Sequence, residues 1–208
     1  MSIDRERFAQ GMTYAEYKAQ MTRNRERLEE NEQAVELAAE DLAFFKNLAQ
    51  PVHGLALVED WCGDVINNLP VLAQMAAQSG KLDIRIFLRD QNLDLIDQYL
   101  KDGKHRSIPV FAFFDADFQP IGHWIERPAL ISQLMGEFRR ELFAGDEVLK
   151  TIDPETAIGD LSEAARNRLM AGFAAFRKEH RALADREVLR EIRALLGDAV
   201  APATRRLP

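Results

Sequence analysis

The middle of the chain constrains its fold most, because its hydrophobic period switches repeatedly between extended and helical. After Pro51, the continuous apolar run Gly54-Leu-Ala-Leu-Val58 reads as a strand buried on both faces. Cys62 to Ser79 then follows a helical period through Ile66, Leu69, Leu72, Ala73 and Ala76, with Gly80 as the stop and Pro70 as an expected kink. Leu82 to Leu88 reads as a second strand, and Leu93, Ile96, Tyr99 and Leu100 as a short helix ended by Gly103. Pro109 to Phe114 and Ile121 to Ile125, separated by the turn Asp115-Ala-Asp-Phe-Gln-Pro120, read as a hairpin. A helix follows from Pro128, carrying Leu130, Ile131, Leu134, Met135, Phe138 and Leu142. The order β-α-β-α-β-β-α describes an α/β core with a mixed sheet: crossovers give parallel strands and the hairpin gives antiparallel ones.

Helical periods flank this core. Before it, Thr13 with Glu16 has capping-box spacing. Tyr14, Tyr17, Met21 and Leu28, then Val35, Ala38, Leu42 and Phe45, mark two helices or one bent helix. After it, Asp153-Pro154-Glu155 resembles a helix start. Asp160 with Glu163 caps a helix bearing Leu161, Ala165, Leu169, Phe173 and Phe176. Val188, Leu189, Ile192, Leu195 and Leu196 form a last stripe ended by Gly197, and residues 201–208 read as loose. The expected organisation is an N-terminal helical extension over 1–50, the core over 51–145 and a C-terminal helical extension over 146–208, all packed as one compact unit.

Composition narrows the function classes. A chain of 208 residues, 47% hydrophobic, can bury a sizeable core without disulfides or metals. No apolar run reaches the roughly 18 residues of a membrane span, and the first residues lack a secretory apolar region, so no membrane role is expected and a cytoplasmic location is. The net charge is −7, and the Arg residues of the C-terminal part alternate with Glu and Asp, which is a solvated face rather than a nucleic-acid footprint. No glycine-rich phosphate loop occurs. Arg139-Arg140 reads as solvated surface, and His180 has no evident partner. The four histidines are scattered and Cys62 is the one cysteine, so neither a metal site nor an internal disulfide is expected.

Cys62 stands directly after the first buried strand, at the first turn of the following helix. Unpaired backbone N–H groups and the positive end of the helix dipole stabilise a thiolate there and raise its nucleophilicity at neutral pH. Lone cysteines are also often inert core residues. The position after a strand favours the reactive reading.

The segment Val58-Glu-Asp-Trp-Cys-Gly-Asp-Val65 resembles the active-site segment of the thioredoxin-like family, in a divergent bacterial branch. Ser107-Ile108-Pro109-Val110 is similar to that family's Ile-Pro segment, and Leu88-Arg-Asp-Gln-Asn92 to one of its strand ends. The resemblance implies a thioredoxin-like core in which Pro109 is cis and faces the cysteine. It implies Cys62 as the catalytic residue and a substrate groove formed by Trp61, Gly63, Asp64, Ile108 and Pro109. The departures are equally specific. Val65 stands where dithiol members carry a second cysteine, so internal resolution of a mixed disulfide is excluded. Asp64 replaces the usual proline and opposes a thiolate by like charge. Ala56 replaces a buried acid, with Glu59 and Asp60 the nearest carboxylates.

Three readings follow. The first is monothiol thiol-disulfide exchange on protein or small-thiol mixed disulfides, with no resident cofactor and a low-molecular-weight thiol as co-substrate. The second is a redox-inactive member kept as a binding or assembly module, its helical extensions forming a homodimer or docking a partner. The third is an iron–sulfur carrier resembling monothiol glutaredoxins, although Cys-Gly-Asp-Val differs from their Cys-Gly-Phe-Ser.

Overall fold

The structure, a computed structural model, describes residues 3–197. The loose end read at 201–208 lies outside the described residues. The chain divides into two compact units, residues 1–127 with 185–208 and residues 128–184.

Four short helices open the first unit: α1 (Arg5–Ala9), α2 (Tyr14–Gln20), α3 (Arg25–Ala34) and α4 (Ala39–Lys46). The sequence stripes resolve only part of this set. α1 is too short to show a period and buries only Phe8. α2 starts at the expected capping box: Thr13 Oγ1 accepts from Glu16 N at 3.2 Å, and Glu16 Oε2 accepts from Thr13 N at 2.7 Å.

The sheet follows: β1 (Val52–Val58), β2 (Leu82–Leu88), β3 (Val110–Phe114) and β4 (Pro120–Ile125), in the spatial order β2-β1-β3-β4. β1 runs parallel to β2 and antiparallel to β3, and β3 runs antiparallel to β4. This is the mixed α/β architecture expected from the hydrophobic pattern. The reason for the continuous apolar runs is visible in β3, buried along its whole length, and in β1, fully buried from Gly54 on. The N-terminal segment shields the β2 edge, since Met12 and Ile86 exchange backbone hydrogen bonds at 2.8 and 2.9 Å. A Cβ on Gly11 would lie 2.5 Å from Phe87, so this close approach requires glycine.

α5 (Gly63–Ser79) connects β1 to β2, runs through Pro70 and stops at Gly80, whose φ of 64° is left-handed. It packs against α3 and α4. α6 (Leu93–Ile96) follows β2 after a short 3-10 turn.

The unit boundaries do not follow the division read near residue 145. α7 (Ala129–Gly145) packs with α8 (Glu163–Glu179) in the second unit, around Ile131, Met135, Leu169, Phe173 and Phe176. α9 (Arg181–Gly197) instead contributes Val188, Leu189, Ile192 and Leu196 to the core of the sheet. Leu195 lies 3.1 Å from where a Cβ of Gly122 would stand, and Trp124 Nε1 donates to Glu191 Oε2 at 2.7 Å. α7 and α9 both carry an apolar stripe, and a stripe does not specify what will cover it.

Within the second unit, Asp153-Pro154-Glu155 is a turn, and α8 is capped by Ser162, with Asp160 in a preceding 3-10 turn. Arg139 is not free surface: its guanidinium donates to the carbonyls of Pro154 and Thr156. His180 stacks on Phe176, 4.1 Å between ring centroids.

Candidate functional site

Cys62 is the N-cap of α5. Its N–H donates to Glu59 O at 3.2 Å and its carbonyl accepts from Ile66 N at 3.1 Å. The side chain does not cap the helix. Its half-buried thiol lies 3.5 Å from the carbonyl of Ile108, as a weak S–H···O contact. The Ile108–Pro109 bond is cis. Two segments far apart in sequence, the end of β1 and the start of β3, therefore converge on one sulfur.

A cavity of about 890 Å³ opens beside this contact, with Trp61, Cys62, Asp64 and Ile108 in its wall. Gly63 is the first residue of α5. Pro109 is not among the residues of the cavity wall; its carbonyl accepts from Glu126 N at 2.7 Å. Trp61 is 45% exposed and stacks under Arg89, whose Cζ is 5.0 Å from the ring centroid.

Asp64 does not act as a bare negative charge beside the sulfur. Its Oδ2 accepts from Arg127 Nη2 at 2.8 Å. Arg127 also pairs with Glu126, and Glu126 with Lys101. Asn68 of α5 donates to the Glu126 carbonyl at 3.0 Å. Glu126 has a φ of 68°, the turn that carries the chain from β4 back over the N-terminus of α5. Lys101, Glu126 and Arg127 are site residues that the sequence pattern did not reveal. They lie outside the motif, and their spacing matches no known signature.

The two acids before the cysteine divide their roles. Asp60 Oδ2 accepts from Thr22 N at 2.8 Å, Thr22 Oγ1 at 3.0 Å and Arg23 N at 3.0 Å. Asn24 Nδ2 donates to the Asp60 carbonyl at 2.8 Å. Glu59 is buried, and its Oε1 accepts from Asp90 N at 2.8 Å, tying the end of β1 to the turn after β2. Burial pushes the Glu59 carboxyl above the usual carboxylate range, against the pull of that hydrogen bond. Tyr17 is 1% exposed and its hydroxyl lacks a partner among the described residues. Burial, then the nearby Asp60, Glu59 and Cys62, push its ionisation far above normal.

Arranged this way, the site can present one sulfur, at a helix N-terminus, to a ligand lying in an open cavity. It holds no second thiol. Among the described residues no group of three or more His, Cys, Asp or Glu side chains could hold a metal ion, and no helix is long and apolar enough to cross a membrane.

Fold and site together define a thioredoxin-like protein with one sulfur at the N-terminus of its first crossover helix. A thioredoxin family profile matches residues 11–141, and the chain belongs to that family. Its fold is similar to that of a protein of unknown function, PA1234, from Pseudomonas aeruginosa: 15% identity, 95% of this chain and 99% of that chain covered, TM-score 0.65. It is also similar to an HIV epitope-scaffold, at 14% identity with 92% and 95% covered and a TM-score of 0.59. No curated protein matches this chain.

Proposed function

We propose that this chain is a monothiol exchange protein that acts through Cys62 on mixed disulfides. The observation that carries the reading is the placement of Cys62 Sγ at the N-cap of α5, 3.5 Å from the Ile108 carbonyl and open to the cavity. The Cys62 thiolate attacks the small-thiol sulfur of a mixed disulfide. A Cys62–small-thiol disulfide forms and the other partner leaves as its thiolate. A second molecule of the small thiol, as thiolate, then attacks the sulfur bound to Cys62, forming the symmetrical small disulfide and restoring the Cys62 thiolate. No electrons are gained or lost by the protein over the cycle. A single thiol without an internal partner suits a reducing compartment, so we place its action in the cytoplasm.

The test is Cys62→Ser. Native protein treated with bis(2-hydroxyethyl) disulfide gains one adduct by intact mass and loses it again to added 2-mercaptoethanol; the variant gains none. A folded native chain that gains no adduct, while the urea-unfolded chain does, overturns exchange. It then favours a binding module, a reading that the exposure of Trp61 also supports.

A further inference from the structure

Tyr17 is a buried donor that the fold leaves unspent beside the active-site segment. Its helix, α2, is fixed there by Asp60, which accepts from Thr22 and Arg23 just after the helix and, through its carbonyl, from Asn24. Tyr17 is 1% exposed, in the same core that Cys62 packs against. Its hydroxyl has no hydrogen-bond partner among the described residues. Burying a donor without an acceptor costs stability, and phenylalanine would fill the same space without that cost. The acidic groups near enough to act on this hydroxyl are Asp60, Glu59 and Cys62. Asp60 Oδ2 already takes three donors, and Glu59 Oε1 takes Asp90 N. The sulfur differs, because its hydrogen-bonding role changes with its charge. As a thiol it donates to the Ile108 carbonyl at 3.5 Å. As a thiolate it has no proton to give, is repelled by that carbonyl oxygen and needs donors.

Resting on the exchange reading above, we propose that Tyr17 is a positioning residue for Cys62: once ionised, the sulfur exchanges the Ile108 carbonyl for the Tyr17 hydroxyl as its partner. The start of α5 acts on the sulfur through its helix N-terminus, and Tyr17 acts on it from the core, so the two reinforce each other. The donor itself stays neutral, because burial and the neighbouring acids oppose its ionisation. It therefore gives a hydrogen bond without competing for the proton. A donor unspent in the thiol form and used in the thiolate form favours the reactive state. One lone pair of the sulfur is held in this way, and the rest remain for attack on a disulfide in the cavity.

The test is Tyr17→Phe, which removes the hydroxyl and keeps the ring. Glu59, Asp60, Asp64 with Arg127, and Arg89 and His105 of the cavity wall all remain, so the charges around the sulfur are unchanged. The pH profile of iodoacetamide labelling of Cys62 is compared between native and variant protein, with the urea-unfolded chains as reference. The variant's midpoint is expected to rise by about half a pH unit, which slows labelling below the midpoint by about threefold and leaves the high-pH plateau in place. Its urea midpoint should equal or exceed the native one, as an unpaired buried donor has gone. A packing role alone would lower stability and leave the profile where it is. In the native protein the near-ultraviolet tyrosine band should shift to the red in step with the rise of thiolate absorbance, and this shift should vanish in Cys62→Ser. An unchanged labelling midpoint in Tyr17→Phe, or a tyrosine band that does not follow Cys62, overturns the role of Tyr17 and leaves exchange standing. A folded native chain that gains no adduct from bis(2-hydroxyethyl) disulfide overturns the exchange reading, and this inference with it.

Discussion

Asp64, directly after Gly63 in the active-site segment, gives its carboxylate to Arg127 at 2.8 Å, and both side chains are largely buried. The pair answers a conflict written into the sequence, where an acid sits two residues from a cysteine whose ionisation it should oppose. With the guanidinium in place, the local charge is balanced and the helix N-terminus can act on the sulfur.

Arg127→Leu should therefore have two effects. It leaves Asp64 buried without its cation and should destabilise the chain by about 2 kcal/mol in urea unfolding. It should also slow iodoacetamide labelling of Cys62 at neutral pH. Asp64→Asn in the same background should recover much of both losses. An additive double variant would mean that the two residues act independently.

Asp60 is the tie between the N-terminal helices and the active-site segment, accepting three hydrogen bonds from Thr22 and Arg23. Asp60→Ala should cost about 1 kcal/mol, since it removes three solvent-exposed hydrogen bonds, and Thr22→Val about half of that. Hydrogen exchange should quicken at residues 59–63 in Asp60→Ala. Protection unchanged there would show that the N-terminal helices do not hold the segment.

The sheet and the cysteine were legible in the sequence for a physical reason. β1 and β3 are buried on both faces and so are written as unbroken apolar runs, while Trp61-Cys62-Gly63 and Ile108-Pro109 are local motifs. What could not be read are partnerships across long separations. Arg127 is 63 residues from Asp64, and neither carries a pattern that points to the other. The same limit hid the exchange of helices, because Ile131 and Met135 on α7 and Val188 and Ile192 on α9 show the same kind of stripe. Phe8 on α1 was missed because five residues hold no period.

Placing α9 on the sheet has its own test. Ile192 is fully buried in the core shared with β4. Ile192→Ala should destabilise the first unit by about 3 kcal/mol, from lost burial and the cavity left behind. Trp124 fluorescence, reporting from the contact with Glu191, should follow the same transition. A cost under about 0.5 kcal/mol, the level of a surface change, would take α9 off the sheet.

Glu59 sets a pH dependence. A carboxyl raised in the folded state binds protons there that the unfolded chain, titrating at about 4.3, has released. Its contribution favours folding at acid pH and is lost as pH rises from the unfolded value through the raised folded one. Glu59→Gln keeps an oxygen for the Asp90 N–H and removes the buried charge. The variant should gain on the native protein in urea midpoint as pH climbs from about 4 to 7. A gap that narrows over that range would place Glu59 in a charge-stabilised pair instead.

Val65 is where a second thiol would have to stand, three residues after Cys62 on the first turn of α5 and fully buried. Val65→Cys should fold with a loss of about 1 kcal/mol, the cost of trimming a packed side chain. Under mild oxidation it should lose both free thiols as one intramolecular bond, since the N-cap and the third residue of α5 lie within one turn of each other. The small-thiol adduct on Cys62 should then become transient, because the introduced thiol would displace it within the same molecule. If the adduct instead persists as in the native chain, the two side chains do not come within reach of a disulfide.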